Sequence, residues 1–232
     1  MNLIRKIYKR LYDFFGPQHW WPGETIEEII IGAVLTQNTN WQNVDRAIRN
    51  LKKAHLLSLE KISQAAPEKI IPLIRPSGYY NIKEKRLRAV AEFFVRRCNC
   101  DFSSLEKIPL GDLRKELFSI YGVGPETADS ILLYALERPV FVVDAYTRRI
   151  GRRHGLFQDT LDYESIRLFF ESLLPRSVPL LNEYHALLVR VGKEFCRPQS
   201  RCALCPLNLG EYFPPNSRTF FKNVKNENDT RS

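Results

Sequence analysis

The segment from Leu117 to Gly155, LFSIYGVGPETADSILLYALERPVFVVDAYTRRIGRRHG, constrains the fold more than any other stretch of the chain. It begins as a helix, breaks at Gly122-Val123-Gly124, and resumes as an apolar-faced helix opened by Pro125. Proline suits a first helical turn, where its missing N–H has no intrahelical partner to lose. Two glycines flanking an apolar residue let the backbone come close to another molecule. The helix that follows directs unpaired N–H groups and a partial positive charge outward, which makes the turn an anion site. The run Pro139–Val143 then ends at Asp144, at the start of a further helix. Each piece alone is ordinary, because Gly-x-Gly turns end many helices and an Asp after an apolar run is usually an N-cap. Their order and spacing together are specific.

Charge says which anion to expect. Lys and Arg number 35 against 26 Asp and Glu, a net charge of +9, and 44% hydrophobic residues exclude general disorder. An excess of this kind favours a polyanion bound through phosphate neutralisation. At 232 residues the chain buries a substantial core and has room for one domain or two small ones. No apolar run reaches membrane-spanning length. The start, MNLIRKIYKRLYDFF, sets Arg5, Lys6, Lys9 and Arg10 against Ile4, Ile7, Leu11, Phe14 and Phe15 at helical spacing. It lacks the apolar centre and cleavage site of a signal peptide, so a basic surface helix and a cytoplasmic, nucleoid-associated protein are expected.

Helical patterns fill the rest. Thr25 caps a helix through Leu35 with Glu27 and Glu28 in its first turn, and Val44, Ile48 and Leu51 mark a second from about Trp41 to His55. Ser58 and Pro67 open short helices, and residues 80–97 form a longer one. Leu110 to Tyr121 leads into the turn, and helices follow near 145–154, 162–173 and 178–195. Val140–Val143 has strand character, but four residues cannot make a sheet. The fold class is all-α. From Pro214 the chain is polar and charged, and 214–232 is expected to fray.

The hairpin with its Gly/Pro turn and following Asp resembles the helix-hairpin-helix DNA glycosylases, in particular the endonuclease III branch, over roughly Thr25 to Cys205. The resemblance implies a two-module fold with an active-site cleft between the modules. One is a six-helix barrel, residues 25–137 with the hairpin at 113–136, and the other combines 1–24 with 138–213. It implies double-stranded DNA with a damaged base as partner, a monomer, and one nucleotide flipped out of the duplex. Asp144 is then the catalytic carboxylate, and Gly122, Val123, Gly124, Glu126 and Thr127 line the backbone grip. Gln37, in Gly32-Ala33-Val34-Leu35-Thr36-Gln37, matches the glutamine that fills the hole left by the flipped base. An amide suits that hole because it has both donor and acceptor groups. Tyr79, in Gly78-Tyr79-Tyr80-Asn81-Ile82-Lys83, matches the wedge that pushes between bases. Lys83, Lys85, Arg86 and Arg88 follow as phosphate contacts or, equally well, as a solvated basic face.

Two departures refine the expected chemistry. Bifunctional members carry a lysine two residues after the second hairpin glycine, where this chain has Glu126. A carboxylate cannot form a Schiff base with a sugar, so lyase chemistry loses its nucleophile and a monofunctional glycosylase is expected. Asp144 suffices to activate a water and to stabilise the oxocarbenium-like charge. The second departure is in the cysteine loop 196–205. Cys196, Cys202 and Cys205 stand where the family often holds a [4Fe–4S] cluster, but Glu211 and Tyr212 occupy the region of the fourth cysteine. A cluster, another metal such as zinc, and a remnant loop of free thiols all remain open, and no cofactor is needed for catalysis.

Trp20-Trp21-Pro22, Trp41, the 75–81 segment and Glu126 look like the branch that excises alkylated purines, the bacterial 3-methyladenine DNA glycosylases of the endonuclease III type. There a sandwich for the flipped base carries over to Trp41 on one side and Trp21-Pro22 on the other, with Lys193 near the pocket. A cationic alkylpurine stacks well on indole and has a weakened glycosidic bond. Plain core packing is the competing reading of these tryptophans. The alternatives for function are a glycosylase for oxidised pyrimidines or mismatched thymine/uracil, and a non-catalytic DNA-binding hairpin protein. Asp144 argues against the last, since a pure binder gains nothing from a negative charge beside DNA.

Overall fold

The computed structural model describes residues 2–208; the tail 214–232 and the positions of Glu211 and Tyr212 lie outside the described residues. Among these residues every regular element is helical. The helices are α1 Leu3–Phe15, α2 Ile26–Leu35, α3 Trp41–Lys53, α4 Leu59–Gln64, α5 Pro67–Ile74, α6 Tyr80–Cys98, α7 Leu110–Phe118, α8 Pro125–Ser130, α9 Ala145–Arg153, α10 Tyr163–Leu173 and α11 Val178–Glu194. A buried π-helical turn, Ile131–Ala135, continues α8. No helix among the described residues is long and apolar enough to cross a membrane.

The chain forms two compact units, one made of the segment through Trp20 with the chain from Val140 onward, the other of Trp21–Pro139. Sequence reading places these breaks at 24/25 and 137/138. The first moves because Trp21 packs against Trp41 and Tyr134, each ring centroid 5.0 Å away. The second moves because Arg138 donates to the carbonyls of Leu105, Glu106 and Ile108.

In the Trp21–Pro139 unit, α2 is the central element. It is apolar nearly all round, and Ile30, Ile31, Val34 and Leu35 are fully buried, as expected of a helix covered on several faces. Thr25 caps it by accepting the Glu28 N–H at 3.1 Å. Val44, Ala47, Ile48 and Leu51 give α3 a single buried stripe; truncating a buried leucine such as Leu51 costs about 2–5 kcal/mol. Ser58 occupies the N-cap of α4, but Glu27 supplies the cap, accepting the Leu59 N–H at 2.7 Å. The hairpin helices α7 and α8 are joined by Arg114, whose Nε and Nη2 donate to the fully buried Asp129 at 2.7 and 3.0 Å. Removing one partner of such a pair strands a buried charge, so it fixes the hairpin's geometry more than it adds stability.

In the other unit, Ile4, Ile7 and Leu11 of α1 are buried, and the Tyr184 hydroxyl of α11 donates to the Ile4 carbonyl at 2.9 Å. Val140–Val143 is extended and buried without pairing as a strand. Side chains of α10 take its donors: Phe141 N–H goes to Glu171 at 2.8 Å and Val143 N–H to the Tyr163 hydroxyl at 3.3 Å. That run delivers the chain to Asp144.

Candidate functional site

The hairpin turn is as close-packed behind as it is open in front. Gly122 has φ +77°, and a Cβ there would lie 2.3 Å from Cγ of Arg86, so only glycine fits. Val123 is buried beneath the turn. Gly124 stands at the N-cap of α8 with no side-chain cap, and a Cβ built on it meets nothing within 4 Å. Glu126, in the first turn of α8, is exposed.

Gln37 faces this turn. Its Nε2 donates to the Gly122 carbonyl at 3.0 Å and to the Thr127 hydroxyl at 2.9 Å, while its Oε1 accepts from Arg86 Nη1 at 2.5 Å. Both amide hydrogens are thereby engaged. Tyr79 is 70% exposed, follows Gly78 (φ +71°), and itself has φ +46°, so the loop projects the ring outward. Lys83 corrects the expectation of a phosphate contact. It is 1% exposed, and its Nζ donates to the carbonyls of Leu35 at 2.8 Å and Ser77 at 2.7 Å. Burial, with Arg86 nearby, lowers its pKa to about 8. The lysine ties the end of α2 to the loop that carries Tyr79, because its face of α6 points into the unit.

The tryptophans do not form an open slot. Trp21 and Trp41 meet edge to face, with 85° between planes, and Trp21 also packs on Tyr134 at a 32° tilt. Gly32 makes room for both, since a Cβ there would stand 3.3 Å from Trp21 and 3.6 Å from Trp41. A base stacked between parallel rings needs roughly twice the stacking rise of a duplex, or about 7 Å. Pro22 is exposed beside them.

Asp144 belongs to the other unit. It caps α9, with Oδ1 accepting the Thr147 N–H at 2.7 Å, and is 8% exposed. Its Oδ2 stands 3.7 Å from Nε2 of His185 on α11. Burial alone would raise the carboxyl's pKa, but the nearby His185 and the bond from Thr147 outweigh it, and the net direction is down. Lys193 Nζ lies 5.8 Å over the Trp20 ring. Partial desolvation lowers its pKa, against the opposing pull of Asp144. Sequence reading missed His185, Tyr134 and the Lys193–Trp20 contact, and it named Arg86 only within the basic run, not as the donor to Gln37. A lone histidine in an apolar helix and one arginine in a basic run give no signal by themselves.

The described residues of the cysteine loop do not assemble a metal site. Cys196 is buried and Cys202 exposed, and among the described residues no group of three or more His, Cys, Asp or Glu side chains is placed to hold an ion. The chain has two further cysteines, Cys98 and Cys100, and these belong to the Trp21–Pro139 unit. Burial pushes the Cys205 thiol up, away from the thiolate a metal needs. Arginines hold the loop instead. Arg149 donates to the carbonyls of Cys196 at 2.6 Å and Gly192 at 3.1 Å. Arg153 donates to the carbonyls of Arg197 at 2.5 Å and Pro198 at 3.0 Å, and Arg10 to that of Pro206 at 2.7 Å.

Comparison with known proteins identifies the family and the fold. The family model of the HhH-GPD superfamily base excision DNA repair proteins matches residues 31–176. A Methanocaldococcus jannaschii protein, MJ1434, whose name assigns it provisionally to the DNA repair glycosylases, is 49% identical over 211 residues, 89% of this chain and 94% of its own. Endonuclease III of Thermotoga maritima is 28% identical, covering 74% of this chain and 75% of its own. Among solved structures, the H. pylori 3-methyladenine DNA glycosylase MagIII bound to 1,N6-ethenoadenine superposes with a TM-score of 0.71 at 29% identity, over 82% of this chain and 97% of that one. A non-covalent endonuclease III–DNA complex gives 0.75 at 19% identity over 91% and 97%, a likeness of fold.

Proposed function

This chain belongs to the HhH-GPD superfamily of base excision DNA repair proteins as a DNA glycosylase, and we propose that it removes alkylated purines such as 3-methyladenine by hydrolysis, leaving an abasic site in an uncut strand. The observation that carries the reaction is Asp144: a buried carboxylate, oriented by Thr147 and kept anionic by its surroundings. Such a group takes a proton from an attacking water and faces the positive charge that develops on the sugar as the N-glycosidic bond breaks. The uncapped hairpin turn at Gly122–Gly124, with Thr127 and Gln37 behind it, receives a phosphate of the DNA backbone. Tyr79 enters the base stack as a wedge.

Glu126 supports the hydrolytic reading, since the turn lacks the amine that Schiff-base chemistry requires. Similarity to MagIII and the Trp21–Trp41–Tyr134 cluster support the alkylpurine reading. Binding a purine between Trp41 and Trp21 requires Trp41 to turn from its edge-to-face position. That closed contact favours a second reading, excision of a smaller oxidised pyrimidine. A panel of duplexes, each bearing one lesion, separates the two. Release of 3-methyladenine with no release of oxidised pyrimidines supports the proposal, and the reverse pattern overturns it.

A further inference from the structure

Asp144 has one carboxylate oxygen that its own helix does not use. Oδ1 is engaged by Thr147, while Oδ2 looks across to α11, the helix packed against α9, where His185 Nε2 lies 3.7 Å away. His185 is 4% exposed and sits in a run of buried residues, Tyr184, Ala186, Leu187 and Leu188. Burying an imidazole in such a run costs free energy, and its Nε2 faces the Asp144 carboxylate at 3.7 Å. We propose that His185 is a positioning residue for base excision, holding the Asp144 carboxylate in one orientation and as the anion. This rests on reading Asp144 as the catalytic group.

The physical need is twofold. A single bond to Oδ1 leaves the carboxylate's terminal torsion broad, and a contact on Oδ2 from a second helix narrows it. A carboxyl this deeply buried also tends toward the neutral acid, which neither accepts a proton from water nor balances an oxocarbenium charge. The imidazole, 3.7 Å from Oδ2, opposes that tendency from the side of the carboxylate that Thr147 does not hold. Other groups packed around the pair have their own partners. On α11 itself, Lys193 also attracts Asp144, and Arg190 acts on Lys193. On α9, Arg149 is committed to the Cys196 and Gly192 carbonyls. From α10, the Tyr163 hydroxyl accepts the Val143 N–H. From α1, Tyr8 meets the charge of Glu183. Because Lys193 stays in place, losing His185 should shift the titration of Asp144 and not abolish activity.

The test is single-turnover excision followed across pH for the full chain and for H185L, H185N and D144N, with DNA affinity and melting temperature measured alongside. H185L should move the acid limb of the rate profile upward by about one pH unit or more, with plateau rate down about tenfold and DNA affinity unchanged. H185N, which keeps a polar group facing Oδ2 without the imidazole, should recover the plateau while leaving the limb displaced. It also carries the test should H185L not fold. An acid limb at the wild-type position in H185N overturns the inference. Excision by D144N at the wild-type rate overturns the underlying reading of Asp144, so the two failures are distinguishable.

Discussion

Two helix N-termini in this molecule are finished in opposite ways. α8 begins at Gly124, where no side chain caps the helix and the space before the Cα is open. α9 begins at Asp144, whose carboxylate caps Thr147 and is buried beside His185. Both ends carry the same partial positive charge. At α8 that charge is left for an anion from outside, and Gln37, Arg86 and Asp129 hold the turn from behind. At α9 the chain supplies its own anion and pays for burying it with the imidazole. Under the proposed function the contrast separates two tasks: one terminus grips a phosphate, the other reacts.

The strongest way to break this contrast is to neutralise the second terminus. Asp144→Asn keeps a side-chain acceptor for Thr147 but loses the charge, so base release should fall by about 10³-fold or more while DNA affinity holds. Equal losses of binding and excision would mean that Asp144 only shapes the fold. The first terminus is sharpened by Gly122→Ala. The new Cβ would collide with Arg86 at a backbone conformation that suits glycine, and the variant should lose roughly 1–3 kcal/mol of stability. DNA binding should weaken with it, as urea melts and titrations with undamaged duplex would read. Trp41→Ala should weaken excision of 3-methyladenine by about 1–3 kcal/mol, one lost base–aromatic stack, with general DNA affinity barely changed. An unaltered rate would leave Trp41 as packing for Trp21. The smallest effect is expected of Glu126→Lys, which replaces a repulsive charge in the first turn of α8. It should tighten binding several-fold and steepen the salt dependence by about one counterion for the added cation; an unchanged salt slope would place the phosphate elsewhere.

Much of the helical frame was legible because its signals are local. Thr25 before an apolar run, the Val44/Ile48/Leu51 stripe and the glycines of the turn need no tertiary information. Asp144 was legible as a helix N-cap from its place after the apolar run. Lys83 was misread because a basic run looks alike whether it faces water or carbonyls. What buries it are the Leu35 and Ser77 oxygens, 48 and 6 residues away. The tryptophans were recognisable as a cluster, but the edge-to-face angle that closes the slot depends on Gly32 and Tyr134. Ser58 sat where a cap belongs, yet a glutamate 32 positions from Leu59 took the bond.

The central claim is that the reacting terminus works by hydrolysis, with Asp144 as its anion and no amine in the turn. The most direct measurement follows a strand-labelled duplex bearing an alkylated purine after incubation with the unmodified protein, with and without added alkali, and with borohydride in a parallel reaction. The account predicts base release, an intact strand until alkali is added, and no covalent protein–DNA adduct. Strand cleavage without alkali, together with a borohydride-trapped adduct, would contradict it and point to a lysine outside the turn, Lys193 beside Trp20 first.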